Sequence, residues 1–375
     1  MEYKPLEHFF RLPEKLKQPK EEWFSINNKG LPNFGMTVTN GRERINHCLY
    51  DSLEYDYDNI TYPIPFNQLY WNKTMRYIDF GGRESATPMF INTGEVSDRA
   101  FDHNDYLFIT GCSDNHLFVM INMLYTMLTS NLFVSVVIVD LGISPEKKSL
   151  LWQELRTMHH VQGFMESHAQ WYYRQFDFSH FPEWWSLSNR LIRGGYAWKV
   201  VSVVDVLLES KHMVIWVDSG NRIHSDLSED LHRALQHGFY SPSSGGSVRQ
   251  WTFGSTRHFI QSQFNRTHLR HGKDMCTAGY MIINYYNEEI MNSLILPLLQ
   301  CAYTRKCISP YGSSRKNHRQ EQSALSVLVH SMSIPMACDG YYRTGMLYHR
   351  DCKDDCDQQR ANVKKAFLGH YFQLE

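Results

Sequence analysis

The chain has 375 residues, 42% hydrophobic and 21% charged, a composition that excludes disorder, collagen and coiled coil and suffices for a buried core. Its 38 Lys and Arg against 39 Asp and Glu give a formal charge of -1. That balance argues against a protein that coats nucleic acid or acidic membrane, and leaves room for a local basic pocket. The longest apolar stretch, Leu132 to Ile143, contains Asp140 and is too short to span a bilayer. The N-terminal MEYKPLEHFFRLPEKLKQPKEEWF has no apolar signal core, so membrane attachment is expected only through an anchor preceding Met1.

Residues 1–45 are polar and punctuated by Pro13, Pro19, Gly30, Pro32 and Gly35, which reads as a stem or wrapping arm. Residues 46–105 read as an irregular N-terminal region with acidic Tyr/Asp runs. From 106 onward the pattern is regular, and 106–375 is expected to form one domain with a cysteine-rich end from about 300. Tyr106 to Thr110 is a buried strand closed by Gly111. Leu117 to Leu128 is helical. Phe133 to Val139 is a β-branched strand ending at Asp140. Ser144-Pro145 supplies a helix cap with proline at the first position, and that helix runs through Arg156. Tyr196 to Glu209 shows one apolar helical face, Val200, Val203, Val204, Leu207 and Leu208. Met213 to Val217 is a third strand, followed by Asp218-Ser219-Gly220. Met281 to Ile283 is a fourth; Asn287 to Ala302 and Glu321 to His330 are helices.

Strands alternating with helices predict a doubly wound, Rossmann-like α/β sheet. Such sheets bind ligands at the carboxyl ends of their strands. The loops there are Thr110 to Asn115, Asp140 to Gly142, and Asp218 to Gly220. No G-x-G-x-x-G, P-loop or G-x-S-x-G element is present, which disfavours dinucleotide dehydrogenases, P-loop enzymes and α/β-hydrolases. Asp218 stands where a nucleotide phosphate or its metal would lie, and a carboxylate suits Mg2+ or Mn2+. The same position also suits an Asp that caps a turn.

Eight cysteines, five of them after residue 300, suit a disulfide-bonded C-terminal region in an oxidising compartment, or buried thiols in a reducing one. His349, Cys352 and Cys356 with Cys338 form an alternative zinc set, looser than a disulfide reading. The aromatic crowd from Trp171 to Trp185 suits core or lid packing, or a platform for sugar rings. Three N-glycosylation sequons, at Asn59, Asn72 and Asn265, are what chance supplies in such a composition.

Six segments in this order, YLFITGCSDNH, FVSVVIVDLGIS, GGYAWKVVSVVDVLLE, HMVIWVDSGNRI, CTAGYMIIN and HRQEQSALSVL, resemble the GT-A type of nucleotide-sugar-dependent glycosyltransferase. They are most similar to the animal proteins described as nucleotide-diphospho-sugar-transferase-like. The likeness runs from 106 to about 335 and leaves an irregular N-terminal extension. It implies a mixed GT-A sheet, a nucleotide-sugar donor, and a glycan, glycoprotein or glycolipid acceptor, with Asp218, Glu321 and Gln322 at the reaction. Asp114, Asn115, Asp140, Lys199, Ser219 and Gly220 would hold the nucleotide, Lys199 pointing its charge toward phosphate. Thr277-Ala278-Gly279 would floor the acceptor side. Mn2+ or Mg2+ would sit on Asp218 and His370.

Two departures stand out. The family's Asp-x-Asp element reads Asp218-Ser219-Gly220, so the second carboxylate is missing, and the usual Asp-Gln pair reads Glu321-Gln322. Without a metal, cations would have to neutralise the diphosphate, and Arg343, Arg350, Lys353, Lys364 and Lys365 supply candidates that also suit a solvated face. The reading is a glycosyltransferase of the Golgi or secretory-pathway lumen. The alternatives are a non-catalytic GT-A scaffold that binds a partner, and a nucleotide-sugar hydrolase.

Overall fold

The computed structural model describes residues 76–79, 89–92 and, apart from 131–133, 165–169, 189–191, 267–271 and most of 333–354, residues 106–372. The chain folds as mixed α/β around one eight-stranded sheet of order β2-β1-β5-β4-β3-β6-β11-β8. The strands are β1 (Arg76–Asp79), β2 (Met89–Asn92), β3 (Tyr106–Cys112), β4 (Ser135–Asp140), β5 (Trp171–Gln175), β6 (Met213–Val217), β8 (Phe239–Tyr240) and β11 (Tyr280–Ile283). The central β5, β4, β3 and β6 are parallel; β1, β2, β11 and β8 join antiparallel at the flanks. Two small ribbons lie outside the sheet, β9 (Ser243–Ser247) with β10 (Asp274–Cys276), and β7 (Arg222–Ile223) with β12 (Met346–Leu347).

The β-branched run predicted as the second strand is β4, and Val136 to Val139 are wholly buried. A central parallel strand is covered on both faces, so it reads as a continuous apolar run. The pleat sends Leu107, Ile109, Val137, Val139, Val214 and Trp216 to one layer. There they meet Val200, Val203, Val204 and Leu207 of helix α3 (Ala197–Ser210). Phe108, Val136, Ile138, Ile215 and Val217 face the other layer, with helices α1 (Leu117–Ser130) and α2 (Pro145–Phe164). Each large apolar side chain so buried contributes about 1.5–3 kcal/mol.

Three differences from the sequence expectation have physical causes, and the aromatic crowd packs as one of its two readings had it. β3 runs on to Cys112 because Gly111 and Cys112 pair with Val139 and Asp140. Region 46–105, read as irregular, contributes β1 and β2 to the sheet; strands of four residues give too short a pattern to recognise. The aromatic crowd is core: Trp171 and Tyr172 lie in β5, and Phe176, Phe181 and Trp185 stack at 4.8 and 4.4 Å inside the molecule. The predicted helix from Asn287 begins at Glu288, passes through a π-turn at Met291–Ile295 and continues as Leu296–Tyr303.

The order of the central strands locates the site. The chain runs from β3 outward to β4 and β5, then returns to lay β6 on the other side of β3. The strand order reverses between β3 and β6, and doubly wound sheets bind ligands at the strands' carboxyl ends at such a point. β3 delivers Asp114 to that rim and β6 delivers Asp218.

Disulfides join Cys276 to Cys338, Cys301 to Cys307 and Cys352 to Cys356, while Cys112 is a buried thiol whose pKa burial and Asp140 push far above the ordinary range. The zinc alternative loses its thiolates to these bonds. Cys276, His330 and Cys338 also lie within 4.8 Å of one another, but two of the three sulfur and nitrogen donors are sulfurs already joined. Among the described residues no helix is long and apolar enough to cross a membrane. Non-reducing peptide mapping should recover the three described linkages. Cys276→Ser/Cys338→Ser, which opens a loop of 62 residues, should cost about 2–4 kcal/mol in urea unfolding. A mapped bridge from Cys276 to any other cysteine would refute this arrangement.

Candidate functional site

Three distant segments meet at one buried ammonium. Lys199, in the first turn of α3, is 2% exposed and lies 2.9 Å from Asp218 Oδ1 and 2.9 Å from Glu321 Oε1. Its third proton reaches the Ala278 carbonyl at 3.3 Å. The rings of Tyr196 and Trp216 flank it at 5.2 and 5.6 Å, adding cation–π attraction. Trp216 points the same way as Asp218, two residues on, and its indole N–H donates to Asp218 Oδ1 at 2.7 Å. Gly279 lets the turn after β10 close against Asp218: a Cβ there would stand 3.1 Å from Oδ2. The Asp218 amide donates to the Gly279 carbonyl, and so does the Asn221 side chain, at 2.9 and 2.8 Å.

Strained backbone aims these groups. Arg193, Gly194, Gly195 and Tyr196 all have positive φ, 49, 64, 57 and 54°, immediately before α3. Gly194 is obligatory, since a Cβ would come 2.1 Å from the Trp185 carbonyl oxygen. Gln320, with φ 50°, directly precedes Glu321 at the start of α8 (Glu321–Met332). Non-glycine residues in this region cost about 1–3 kcal/mol each and persist only where surroundings enforce them. Here the enforcement is mutual: the Gln320 side-chain N–H donates to the Ile192 carbonyl at 3.0 Å, tying the two strained approaches together.

Burial works against the Lys199 charge, but the carboxylates of Asp218 and Glu321 outweigh it and hold the ammonium's pKa above its usual value. Burial raises the Glu321 pKa and Lys199 opposes that rise. Asp218 is the one of the three that faces outward, its side chain 37% exposed against 9% for Glu321. Two carboxylates and one ammonium leave a net charge of -1 at the rim. The donor set does not suit a divalent ion held by protein. Asp218 Oδ1 is taken by Trp216 and Lys199, Gly220 offers no side chain, and the ammonium beside Asp218 repels a second cation.

The remaining expected residues divide sharply. Asp114 reaches the rim, where Lys147 at 2.8 Å and the Ser144 amide at 2.9 Å hold its carboxyl down to about 2. Asn115 beside it is exposed, accepting from Ser113 Oγ at 2.7 Å. Ser219 and Gly220 form the turn after Asp218, closed by the Asn221 amide on the Asp218 carbonyl. The side-chain nitrogen of Gln322 is buried without a partner among the described residues.

Three expected site residues have other surroundings than the sequence reading gave them. Lys199, expected to aim its charge at phosphate, points at the carboxylates of Asp218 and Glu321. Asp140 is wholly buried and holds the turn into α2, accepting from the Gly142 and Ile143 amides at 2.8 and 2.6 Å, from the Tyr173 hydroxyl, and from Lys148. Gly142, with φ 107°, makes that turn possible. His370 lies on α9 (Cys356–Phe372), which packs along α1 with Arg360 over Phe118 and Phe367 against Tyr125. Of the proposed C-terminal cations, Lys364 pairs with Glu154 at 2.8 Å, and Arg343, Arg350 and Lys353 lie outside the described residues.

Sequence reasoning missed Trp216, Gln320 and Arg222. Arg222 is buried under the Asp218 turn, where Nη1 donates to the carbonyls of Asn221 and Val119 at 2.7 and 3.2 Å. An arginine four residues after a rim aspartate was the available signal.

Two tests follow from this geometry. Lys199→Met leaves the buried Glu321 and the outward-facing Asp218 without a counter-charge and should destabilise the fold by about 3–5 kcal/mol. Lys199→Met/Glu321→Gln should recover part of that loss; no recovery in a double-mutant cycle would mean the pair is not coupled. His318 holds the loop before Glu321, bonding to the Phe253 amide and Ile308 carbonyl, and burial lowers its pKa to about 4. The unfolded imidazole takes up its proton first, near pH 6.5, so this contribution is complete above that value and is lost as pH falls toward about 4. Denaturation midpoints should therefore fall more steeply over that window in the wild type than in His318→Asn, and equal slopes would refute the role.

No protein-family model matches the chain and no curated protein matches it. Solved structures similar to it include the WbbM bifunctional glycosyltransferase, 11% identical, TM-score 0.35, over 69% of this chain. This chain spans only 44% of WbbM's length. Mouse xyloside xylosyltransferase 1 is 13% identical over 72% of this chain and 94% of its own, TM-score 0.37. Core-mannan synthase A from Aspergillus fumigatus, in its Mn/GDP form, is 8% identical over 72% and 86%, TM-score 0.39. Likeness at this level bears on neither substrate nor chemistry.

Proposed function

We propose that the chain is a GT-A type glycosyltransferase that moves a sugar from a nucleotide-diphosphate donor to a hydroxyl of a glycan, glycoprotein or glycolipid. The observation that supports this most is the Asp218–Lys199–Glu321 cluster at the switch point of a doubly wound sheet. A half-exposed carboxylate backed by a buried ammonium is rigid, oriented and anionic. Positive charge develops on the sugar ring as its bond to the leaving group breaks, and a fixed net negative charge beside it lowers that barrier. Asp218 is the group that meets substrate. Glu321 lies behind Lys199 and acts through it, as a positioning residue. The Gln322 side-chain nitrogen, buried without a partner among the described residues, lies one residue beyond Glu321 and is the group that would donate to a polar ligand there. Rate enhancement would come from positioning donor and acceptor and from this preorganised field.

Three disulfides support a lumenal secretory-pathway location, with residues 1–45 as a stem. The second reading, a non-catalytic scaffold of the same fold, is favoured by one specific observation: Gly220 stands where the family's second carboxylate would be.

A panel of nucleotide sugars and nucleoside diphosphates, read by thermal shift, tests binding. A true donor at 100 times its dissociation constant adds about 2.7 kcal/mol. Asp218→Asn should lower the melting temperature, because Lys199 keeps only Glu321 as counter-charge, and in folded protein at lower temperature should keep nucleotide binding but lower transfer or donor hydrolysis by at least about 100-fold. Wild-type turnover in that variant would remove Asp218 from the reaction. Nucleotide binding without turnover by the wild type, across all acceptors offered, would favour the scaffold.

A further inference from the structure

Residues 243–263 and 303–320 contain no aspartate or glutamate, whereas they carry Arg249, Arg257, Lys306, Arg315, Lys316 and Arg319. Hydrogen bonds draw both segments onto one face. Helix α4 (Ser228–His237) is followed by α5 (Gly254–Gln263), whose Ser255 and Thr256 hydroxyls donate to the carbonyls of Lys306 and Cys307 at 3.4 and 2.7 Å. The Phe253 amide donates to His318 Nδ1 at 3.3 Å. Arg319 lies over the Trp251 ring at 4.2 Å and donates to Ser244 Oγ at 2.9 Å. Arg249, Arg315 and Lys316 are exposed. Arg249, Arg257, Lys306, Arg315 and Lys316 have no carboxylate partner among the described residues. Around the sheet, by contrast, Lys147, Lys148 and Arg174 pair with Asp114, Asp140 and Asp205. The acid nearest in the ribbon is Asp274, opposite Ser247.

This face is continuous with the candidate site. Arg319 lies two residues before Glu321, and Ser244 pairs across the ribbon with Met275, just before Thr277-Ala278-Gly279. Aromatic surface is interleaved with the charge: Tyr311 is 71% exposed, and Phe253 approaches the next residue, Gly312. Cations without counter-charges attract an anionic partner, and flat aromatic faces suit sugar rings.

We infer that this face holds the acceptor and that the acceptor is an anionic glycan, a sugar chain carrying carboxylate or sulfate groups. The inference rests on the glycosyltransferase reading, which puts a sugar-transfer site at the inner end of the face. The donor diphosphate belongs to the β3–β6 rim and leaves this surface free for a second substrate.

The test uses the full chain and a size-defined sulfated glycosaminoglycan oligosaccharide, with a neutral mannan oligosaccharide of equal length and an oligonucleotide of equal charge as comparisons. The sulfated glycan should bind at least tenfold more tightly than either, with affinity falling as salt rises. Arg315→Ser/Lys316→Ser and Arg249→Ser should each weaken that binding severalfold, and the double variant should flatten the salt dependence. Nucleotide stabilisation, measured in parallel by thermal shift, should be unchanged in these variants. Equal binding of the neutral glycan, equal or tighter binding of the oligonucleotide, or unchanged affinity in the variants would overturn the inference. Loss of nucleotide stabilisation in the variants would overturn it too, by assigning the face to the donor. If the wild type responds to no nucleotide sugar, the transferase reading itself fails, a result the glycan measurement does not produce.

Discussion

The organisation of the rim depends on one desolvated charge. Removing an ammonium from water costs several kcal/mol even after relaxation, and only close, well-aligned opposite charges offset it. Lys199 meets that condition with all three of its protons: two carboxylates at 2.9 Å and the Ala278 carbonyl at 3.3 Å. Each partner comes from a different part of the chain. β6 must end where it does to present Asp218, α8 must begin where it does to present Glu321, and the turn before β11 must pass close enough for Ala278. Any displacement leaves a buried charge exposed to its own desolvation penalty. The cluster is therefore a positional constraint on three elements as well as a chemical feature.

That constraint accounts for the strained backbone around it. Left-handed residues at Arg193, Tyr196 and Gln320 would be relieved if α3 or α8 shifted. A shift would separate Lys199 from Glu321, so the electrostatic term holds the conformational one in place. The Gln320 bond to Ile192 carries the same logic into the loops, because it links the two approaches before either helix begins. A site assembled this way is rigid before any ligand arrives, which is what preorganised electrostatics requires.

How much of this was legible in the sequence depends on the range of the interaction. β4 and α3 follow from local patterns, a β-branched run and a single apolar stripe. Asp218, Lys199 and Glu321 stand out as polar groups beside such patterns. Their direction is not local: Lys199 and Glu321 are 122 residues apart, and nothing in either segment says that one charge points at the other. Asp140 shows the converse. An aspartate ending a strand looks the same whether it faces a ligand or caps its own turn, and Gly142 two residues on was the clue for the cap. The strands β1 and β2 left no signal because four residues at a sheet flank carry little periodicity. The packing of α9 along α1 was likewise not available to sequence.

Bulk charge conceals a division of labour between two surfaces. A formal charge of -1 suggests a neutral molecule, yet the described cations fall into two populations. Around the sheet they are consumed by internal pairs, and Lys199, Lys148, Lys364 and Arg174 each face a carboxylate within 2.9 Å. Such groups position the fold and have little left to offer a ligand. Along the face built from 243–263 and 303–320 neither segment contains an acid, and Arg249, Arg257, Lys306, Arg315 and Lys316 have no carboxylate partner among the described residues. Like charges crowded on one surface repel, and that repulsion weakens when an anion lies across them. The interior pairs thus explain why the rim carbonyls and carboxylates are fixed, while the unpaired face is the part of the molecule whose electrostatics is completed only by something bound. The two surfaces meet at the start of α8, where Arg319 lies over Trp251 and Glu321, two residues on, pairs with Lys199. A substrate that bridges them would place its anionic portion outward and its reacting hydroxyl beside Asp218.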